Sequence, residues 1–225
     1  MNSIEVLFED NHLLAINKAA GMLVQGDETG DIPLVELCKQ YIKKKYDKPG
    51  EVFLGVVHRL DRPVSGVVVF ARTSKALTRM NELFRSREMQ KIYWAIADQR
   101  PSPPEGHLVH WRRKDVKKNK TTACRKETKE AQLSELWYKL ISKKGIRYLT
   151  EVRPLTGRSH QIRVQLADIG CPILGDLKYG SGVATGDGSI ALHARSLSFV
   201  HPVKKEIIFI EAPTPTCDWW DDFSK

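Results

Sequence analysis

The segment His58 to Arg72, HRLDRPVSGVVVFAR, constrains the fold more than any other part of the chain. Arg59 and Asp61 stand two apart, and a near-continuous apolar run from Val64 to Ala71 follows at once. Residues two apart in an extended segment point to the same side. A charged pair is therefore held at the mouth of what reads as a buried strand. Charges against a core need partners, and such a place is a candidate active site.

The chain has 225 residues, enough to bury roughly 70–75% of its unfolded surface as one large domain or two small ones. The acidic beginning MNSIEVLFEDN lacks a basic-then-apolar run, and every apolar run is far shorter than the roughly 20 residues that span a bilayer. A cytoplasmic protein without a membrane partner is expected. Cys38, Cys124, Cys171 and Cys217 form no CxxC pair, so thiols in a reducing compartment are expected instead of a zinc site or disulfide framework. Net charge is +9, which suggests a polyanionic partner such as nucleic acid. Between Arg112 and Lys129 nine Lys/Arg face only two acids. That stretch reads as a mobile basic loop, a good counterion-releasing arm on phosphates.

Glu5 to Asn17 reads as a hairpin turning at Asp10-Asn11. Asp31 is a candidate cap for a helix whose stripe is Leu34, Leu37, Cys38, Tyr41 and Ile42, and Ser74 for a second helix with Leu77, Met80, Leu83 and Phe84. Strands are expected at Ile92–Ala97, Tyr148–Arg153, Leu192–Val200 and Ile207–Glu211. Ser159 to Ile169 reads as a helix ended by Gly170 and Pro172. The proline-rich PSPPEG and the basic stretch are either an excursion within one fold or a linker. Without regular βαβ alternation, an α+β class is favoured over a doubly wound one.

Two further clusters carry chemistry-bearing residues. In a helix, Ile162, Leu166 and Ile169 form a buried stripe, while His160 and Arg163 share a polar face. Arg163 then faces away from the core and suits a carboxylate or a phosphate, although a surface salt bridge is the commoner fate of a helical arginine. In the strand KIYWAIA, Ile92, Trp94 and Ile96 look like core, leaving Tyr93 on the other face beside Lys91. Tyr93 is either a base-stacking or proton-transferring group or an ordinary sheet tyrosine. No nucleotide-binding glycine motif, GxSxG elbow or metal-ligand spacing occurs in the sequence.

These three clusters, in this order, resemble the RluA-type pseudouridine synthase family. Its HRLDxxTSG signature is matched by His58 to Gly66, its K-x-Y element by Lys91 and Tyr93, and its GR[ST]HQ[IL]RVxLAxxGxPIxGDxxYG element by Gly157 to Gly180. A later LHAxxLxFxHP element matches Leu192 to Pro202. Val64 stands where the family usually has threonine, and Cys171 where it more often has His or Asn.

The resemblance implies an α+β fold with a largely antiparallel central sheet flanked by helices. It implies a single catalytic domain over residues 1–225, with a basic excursion at about residues 107–130. The implied reaction is isomerisation of uridine to pseudouridine in rRNA, the large subunit favoured, or in tRNA. Asp61 is then the essential carboxylate, acting at C1′ or through a glycal-type intermediate, Arg163 its salt-bridge partner, and Tyr93 the group that packs on the base and serves as general base or proton relay. Arg59 is implied to fill the gap left by the flipped nucleotide. His58, Arg158 and His160 are further substrate-binding candidates from the matched motifs, and Ile173 and Leu174 are expected to line the uracil pocket. Arg112, Arg113, Lys117, Lys118 and Lys120 are candidates for the RNA backbone. No cofactor or metal is expected, RNA is the expected partner, and a monomer the expected state. The family often carries an S4-type RNA-binding domain, for which the chain is expected to lack room.

Two other readings stay open. One is a non-catalytic RNA-binding or ribosome-assembly protein on the same fold. The other is a hydrolytic glycosidase, which usually needs a second carboxylate. Asp176 is the one motif carboxylate available for that, and its neighbours suggest a structural turn.

Overall fold

The apolar run Ser65–Ala71 is buried along its whole length, as the sequence led one to expect for a strand covered on both faces. The structure is a computed structural model and describes residues 4–115, 120–124, 126–127 and 131–223. In chain order its first elements are β1 (Glu5–Glu9), β2 (Leu13–Lys18), α1 (Leu34–Lys45), β3 (Gly55–Val56), β4 (Ser65–Ala71) and α2 (Ser74–Ser86). There follow β5 (Gln90–Ala97), β6 (Glu105–Asp115), β7 (Lys120–Cys124), β8 (Gln132–Lys144) and β9 (Arg147–Pro154). Helix α3 (Gln161–Asp168), β10 (Leu192–Val200), β11 (Ile207–Glu211) and α4 (Asp218–Asp221) complete the chain. The class is α+β, and the pairs β1–β2, β2–β4, β3–β4, β10–β11, β5–β9, β8–β9, β6–β8 and β6–β7 are antiparallel.

The chain divides into two compact units. The first holds Met1–Gln90 and Ala194–Thr214, the second Lys91–His193 and Pro215–Lys225. In the first unit the strands run β1-β2-β4-β10, with β3 beside β4 and β11 beside β10. Alternation places Leu13, Ala15, Val67 and Val69 on one face, where they pack with Met80 of α2 and with Leu197, Phe199, Ile208 and Ile210. The intervening Leu14, Ile16, Val68 and Phe70 are buried too. Burial of both faces explains why β4 reads as a continuous apolar run.

Two capping expectations needed correction. Helix α2 is capped by Thr73, whose Oγ accepts from the Ala76 N–H at 3.1 Å, with Ser74 already inside the helix. Helix α1 begins after Pro33, which holds the cap position and has no side-chain acceptor, and Asp31 pairs instead with Arg62 at 2.8 Å.

In the second unit the strands run β5-β9-β8-β6-β7. The described part of the basic stretch is strand up to Asp115 and again over Lys120–Cys124. It lies in a β-hairpin, Arg112 opposite Ala123 and Arg113 opposite Thr122, and β8 returns along β6 with Leu108 opposite Leu136. The inward positions of this hairpin include His110, Arg112 and Thr121, all buried. A polar inner face hides the usual alternation of apolar and polar residues.

Gly66 fixes how β4 approaches β10. Its φ is +112°, and a Cβ there would lie 2.3 Å from the Ala194 carbonyl oxygen and 2.6 Å from its nitrogen. Only glycine fits both the conformation and the space. Gly66→Ala is expected to destabilise the protein by at least about 3 kcal/mol, measured by urea unfolding. A loss below about 1 kcal/mol would contradict this close approach.

Candidate active site

In the first unit the site is built on the turn that precedes β4. Leu60 is buried, Asp61 half-buried and Arg59 exposed. The Val64 N–H donates to the Asp61 carbonyl at 3.0 Å, closing a turn over Arg62-Pro63. The charged pair therefore lies on a loop, and the strand starts only at Ser65. The loop is held from both directions. Gly21 N–H donates to the Arg62 carbonyl at 2.8 Å, and Arg62 Nε donates to the Gly21 carbonyl at 3.0 Å.

Beneath this loop lies Lys18, a residue the sequence reading missed. It is fully buried at the end of β2, opposite Gly66. Its ammonium donates to the carbonyls of Ala19 at 3.0 Å, Met22 at 2.9 Å and Arg62 at 3.2 Å. Burial pushes its pKa down to about 7; the Asp61 carboxylate opposes that shift and the Arg62 charge adds to it. The three carbonyl dipoles also favour the charged form. The available signal was a lysine at the end of a strand that is apolar from Leu13 to Ile16.

His58 turns inward. Its Nε2 accepts the Val69 N–H at 3.1 Å, and its ring stacks on Phe84 at 4.9 Å. With Nε2 an acceptor, the neutral ring carries its proton on Nδ1. The structure thus gives this substrate-binding candidate a role in bracing β4.

In the second unit Arg163 is buried, not surface-facing as expected, with a side-chain exposure of 6%. Its Nε donates to Asp176 Oδ2 at 2.7 Å and its Nη2 to Oδ1 at 2.9 Å, a bidentate pair. The Tyr179 ring lies against the guanidinium at 5.1 Å. The helix that carries Arg163 starts two residues later than expected. His160 has φ +57° and stands outside it, so the shared helical face of His160 and Arg163 does not exist. Gln161 organises that start. Its Oε1 accepts from the Arg158 N–H at 3.0 Å and from Thr156 Oγ1 at 2.7 Å. Gln161 to Leu166 are all buried, which explains why no clean stripe marks this helix.

Tyr93 is half-buried on β5, opposite Val152. Ile92 and Trp94, expected in the core, are also only half-buried, and full burial begins at Ala95. Ile173 and Leu174 are buried. Leu174 is pinned by its N–H to the Ile96 carbonyl at 2.8 Å and by the Ala191 N–H to its own carbonyl at 2.9 Å. Arg158 is exposed.

The basic candidates divide. Arg113 is exposed. Arg112 is buried, its guanidinium donating to Ser134 Oγ at 3.3 Å, Thr121 Oγ1 at 3.2 Å and the Ser159 carbonyl, so it serves the interior in place of the RNA backbone. Alternation along β6 puts it on the inner face. Lys117 and Lys118 lie outside the described residues, as does the Lys120 side chain. Among the described residues, no helix is long and apolar enough to cross a membrane, and no group of three His, Cys, Asp or Glu side chains could hold a metal ion.

Replacing Lys18 by methionine is expected to cost about 2–4 kcal/mol, because buried carbonyls lose their donor. A lysine near 7 when folded and about 10.4 when unfolded leaves the unfolded state holding more protons across that window. Wild-type stability should therefore rise relative to Lys18→Met between about pH 7 and 10. Urea unfolding of both proteins across this range checks it, and a flat difference would contradict the shift.

The sequence profile of the RNA pseudouridylate synthase family matches residues 12–168. Ribosomal large subunit pseudouridine synthase C of Buchnera aphidicola is 32% identical over 224 residues, covering 92% of this chain and 66% of that protein. The tRNA pseudouridine synthase C of Vibrio cholerae is 33% identical over 228 residues, covering 93% of this chain and 90% of that protein. The chain thus spans just under two thirds of the Buchnera protein's length. Among solved structures, the human RNA pseudouridylate synthase domain containing 4 superposes with a TM-score of 0.78 at 28% identity, over 94% of this chain and 88% of that one.

Proposed function

The chain belongs to the RNA pseudouridylate synthase family, and from that premise we propose that it isomerises uridine to pseudouridine within an RNA chain. The observation that carries this reading is that the family match over residues 12–168 takes in Asp61, Tyr93 and Arg163. In the reaction the N1–C1′ bond of uridine breaks, the uracil turns, and C5 bonds to C1′ while giving up its proton. Asp61 is the essential carboxylate, acting at C1′ or through a glycal-type intermediate. Its half-buried loop, tied to the 18–22 segment, supports a fixed carboxylate that meets substrate without waiting for the loop to order. Arg163, immobilised by Asp176, supplies the cation of the proposed site. Tyr93 packs on the target base and accepts or relays the C5 proton.

Arg59 fills the gap left by the extruded base, a role its exposure supports. The substrate is large-subunit rRNA or tRNA, since relatives named for each match at 32% and 33% identity. The protein works as a monomer in the cytoplasm, as one catalytic domain and without a metal or organic cofactor.

The test is direct. Purified protein is incubated with bulk rRNA and tRNA from a strain lacking it, and pseudouridine is mapped chemically. Wild type is expected to add pseudouridine at a discrete site and Asp61→Asn to add none. RNA binding without any new pseudouridine would favour the non-catalytic RNA-binding protein instead. Neutralising Lys117, Lys118 and Lys120 to glutamine is expected to weaken RNA binding and to flatten its salt dependence by about two to three units of log–log slope. An unchanged slope would remove the basic hairpin from the RNA contact.

A further inference from the structure

Arg163 is held on two sides by one short turn. Asp176 engages its edge with two hydrogen bonds, and Tyr179 presents its ring to the guanidinium face at 5.1 Å. These two residues are bound to each other, because the Tyr179 N–H donates to the Asp176 carbonyl at 3.0 Å. The carboxylate fixes the direction of the guanidinium, and the ring fixes its plane.

The Tyr179 hydroxyl is itself a junction. It accepts the backbone N–H of Thr121 at 2.9 Å and lies 2.7 Å from His160 Nδ1. The hydroxyl and Nδ1 share one hydrogen bond, whose direction is set by the His160 tautomer. Burial raises the Tyr179 pKa, which keeps the phenol protonated. Thr121 belongs to β7, the returning strand of the basic hairpin. The same hairpin is braced by Arg112, which donates to Thr121 Oγ1 at 3.2 Å and to the Ser159 carbonyl, next to His160. A continuous polar path thus runs from the hairpin base through the Tyr179 hydroxyl to the ring that faces Arg163. All of it is within the second unit.

We propose that Tyr179 is a positioning residue that couples the seating of the β6–β7 hairpin to the orientation of Arg163. The inference rests on the reading of Arg163 as part of the isomerisation machinery. A hairpin seated on Thr121–Tyr179 holds the ring in place. A hairpin lifted from its seat loosens the ring and removes one of the groups that hold the guanidinium plane. RNA that engages the exposed cations of the hairpin, such as Arg113, thereby acts on the catalytic cation without touching it.

Tyr179→Phe removes the hydroxyl and keeps the ring; Thr121→Val removes the hydroxyl that accepts from Arg112. Each protein, and the double variant, is assayed for single-turnover pseudouridine formation at saturating RNA, for RNA Kd, and for melting temperature. Tyr179→Phe is expected to lose roughly 10- to 100-fold in single-turnover rate, with Kd and melting temperature nearly unchanged. Thr121→Val is expected to move the same way by a smaller factor, and the double variant to be no slower than Tyr179→Phe. A wild-type rate in Tyr179→Phe overturns the coupling. So does a loss of rate, affinity and melting temperature together, or a double variant whose losses multiply. Wild type and Asp61→Asn are run on the same RNA. If wild type forms no pseudouridine there, the functional reading fails and the coupling fails with it. If wild type is active, Asp61→Asn is inactive and Tyr179→Phe is unimpaired, only the coupling is lost.

Discussion

A cation taken out of water has to be answered by other polar groups, and each unit of this protein is organised around one such cation. In the first unit it is Lys18, whose three donors meet the carbonyls of Ala19, Met22 and Arg62. In the second it is Arg163, met on its edge by Asp176 and on its face by Tyr179. Leaving either charge unanswered would cost several kcal/mol, a large share of an ordinary protein's stability. The loops that supply the answers are therefore fixed in place. One of them carries Asp61.

This arrangement explains how the loop that carries Asp61 can lack regular structure and still be held in place. The Asp61 turn rests on an ammonium that gathers carbonyls from two segments far apart in sequence. Gly66, opposite Lys18, lets β4 run against the backbone of Ala194, where any side chain would collide. A mobile carboxylate would serve badly in a reaction that detaches a base and must reattach it before water intervenes.

The sequence made some of this legible and concealed the rest for identifiable reasons. Strands with apolar inner faces were readable, and β10 and β11 have the expected limits. The basic hairpin was not, because its inner face carries His110, Arg112 and Thr121 where apolar residues would signal a strand. The start of α3 was misplaced because His160 adopts a left-handed conformation that composition does not reveal. Gln161, whose side chain organises that start, looks like an ordinary helical residue. Asp61 stood out through its neighbours and Asp176 only as a motif carboxylate at a turn, whereas Lys18 and Tyr179 did not stand out. Their importance lies in contacts with residues distant in sequence, such as Arg62 for Lys18 and Thr121 for Tyr179.

The central claim is that Asp61 drives an isomerisation in which C5 of uridine gives up its hydrogen and the uracil is never released. RNA labelled with tritium at uridine C5 tests both halves at once. Wild-type protein is predicted to release tritium to water in proportion to the modified sites, with no free uracil, and Asp61→Asn to release none. Free labelled uracil would indicate a hydrolytic glycosidase, and tritium release that survives in Asp61→Asn would contradict the assignment of this aspartate.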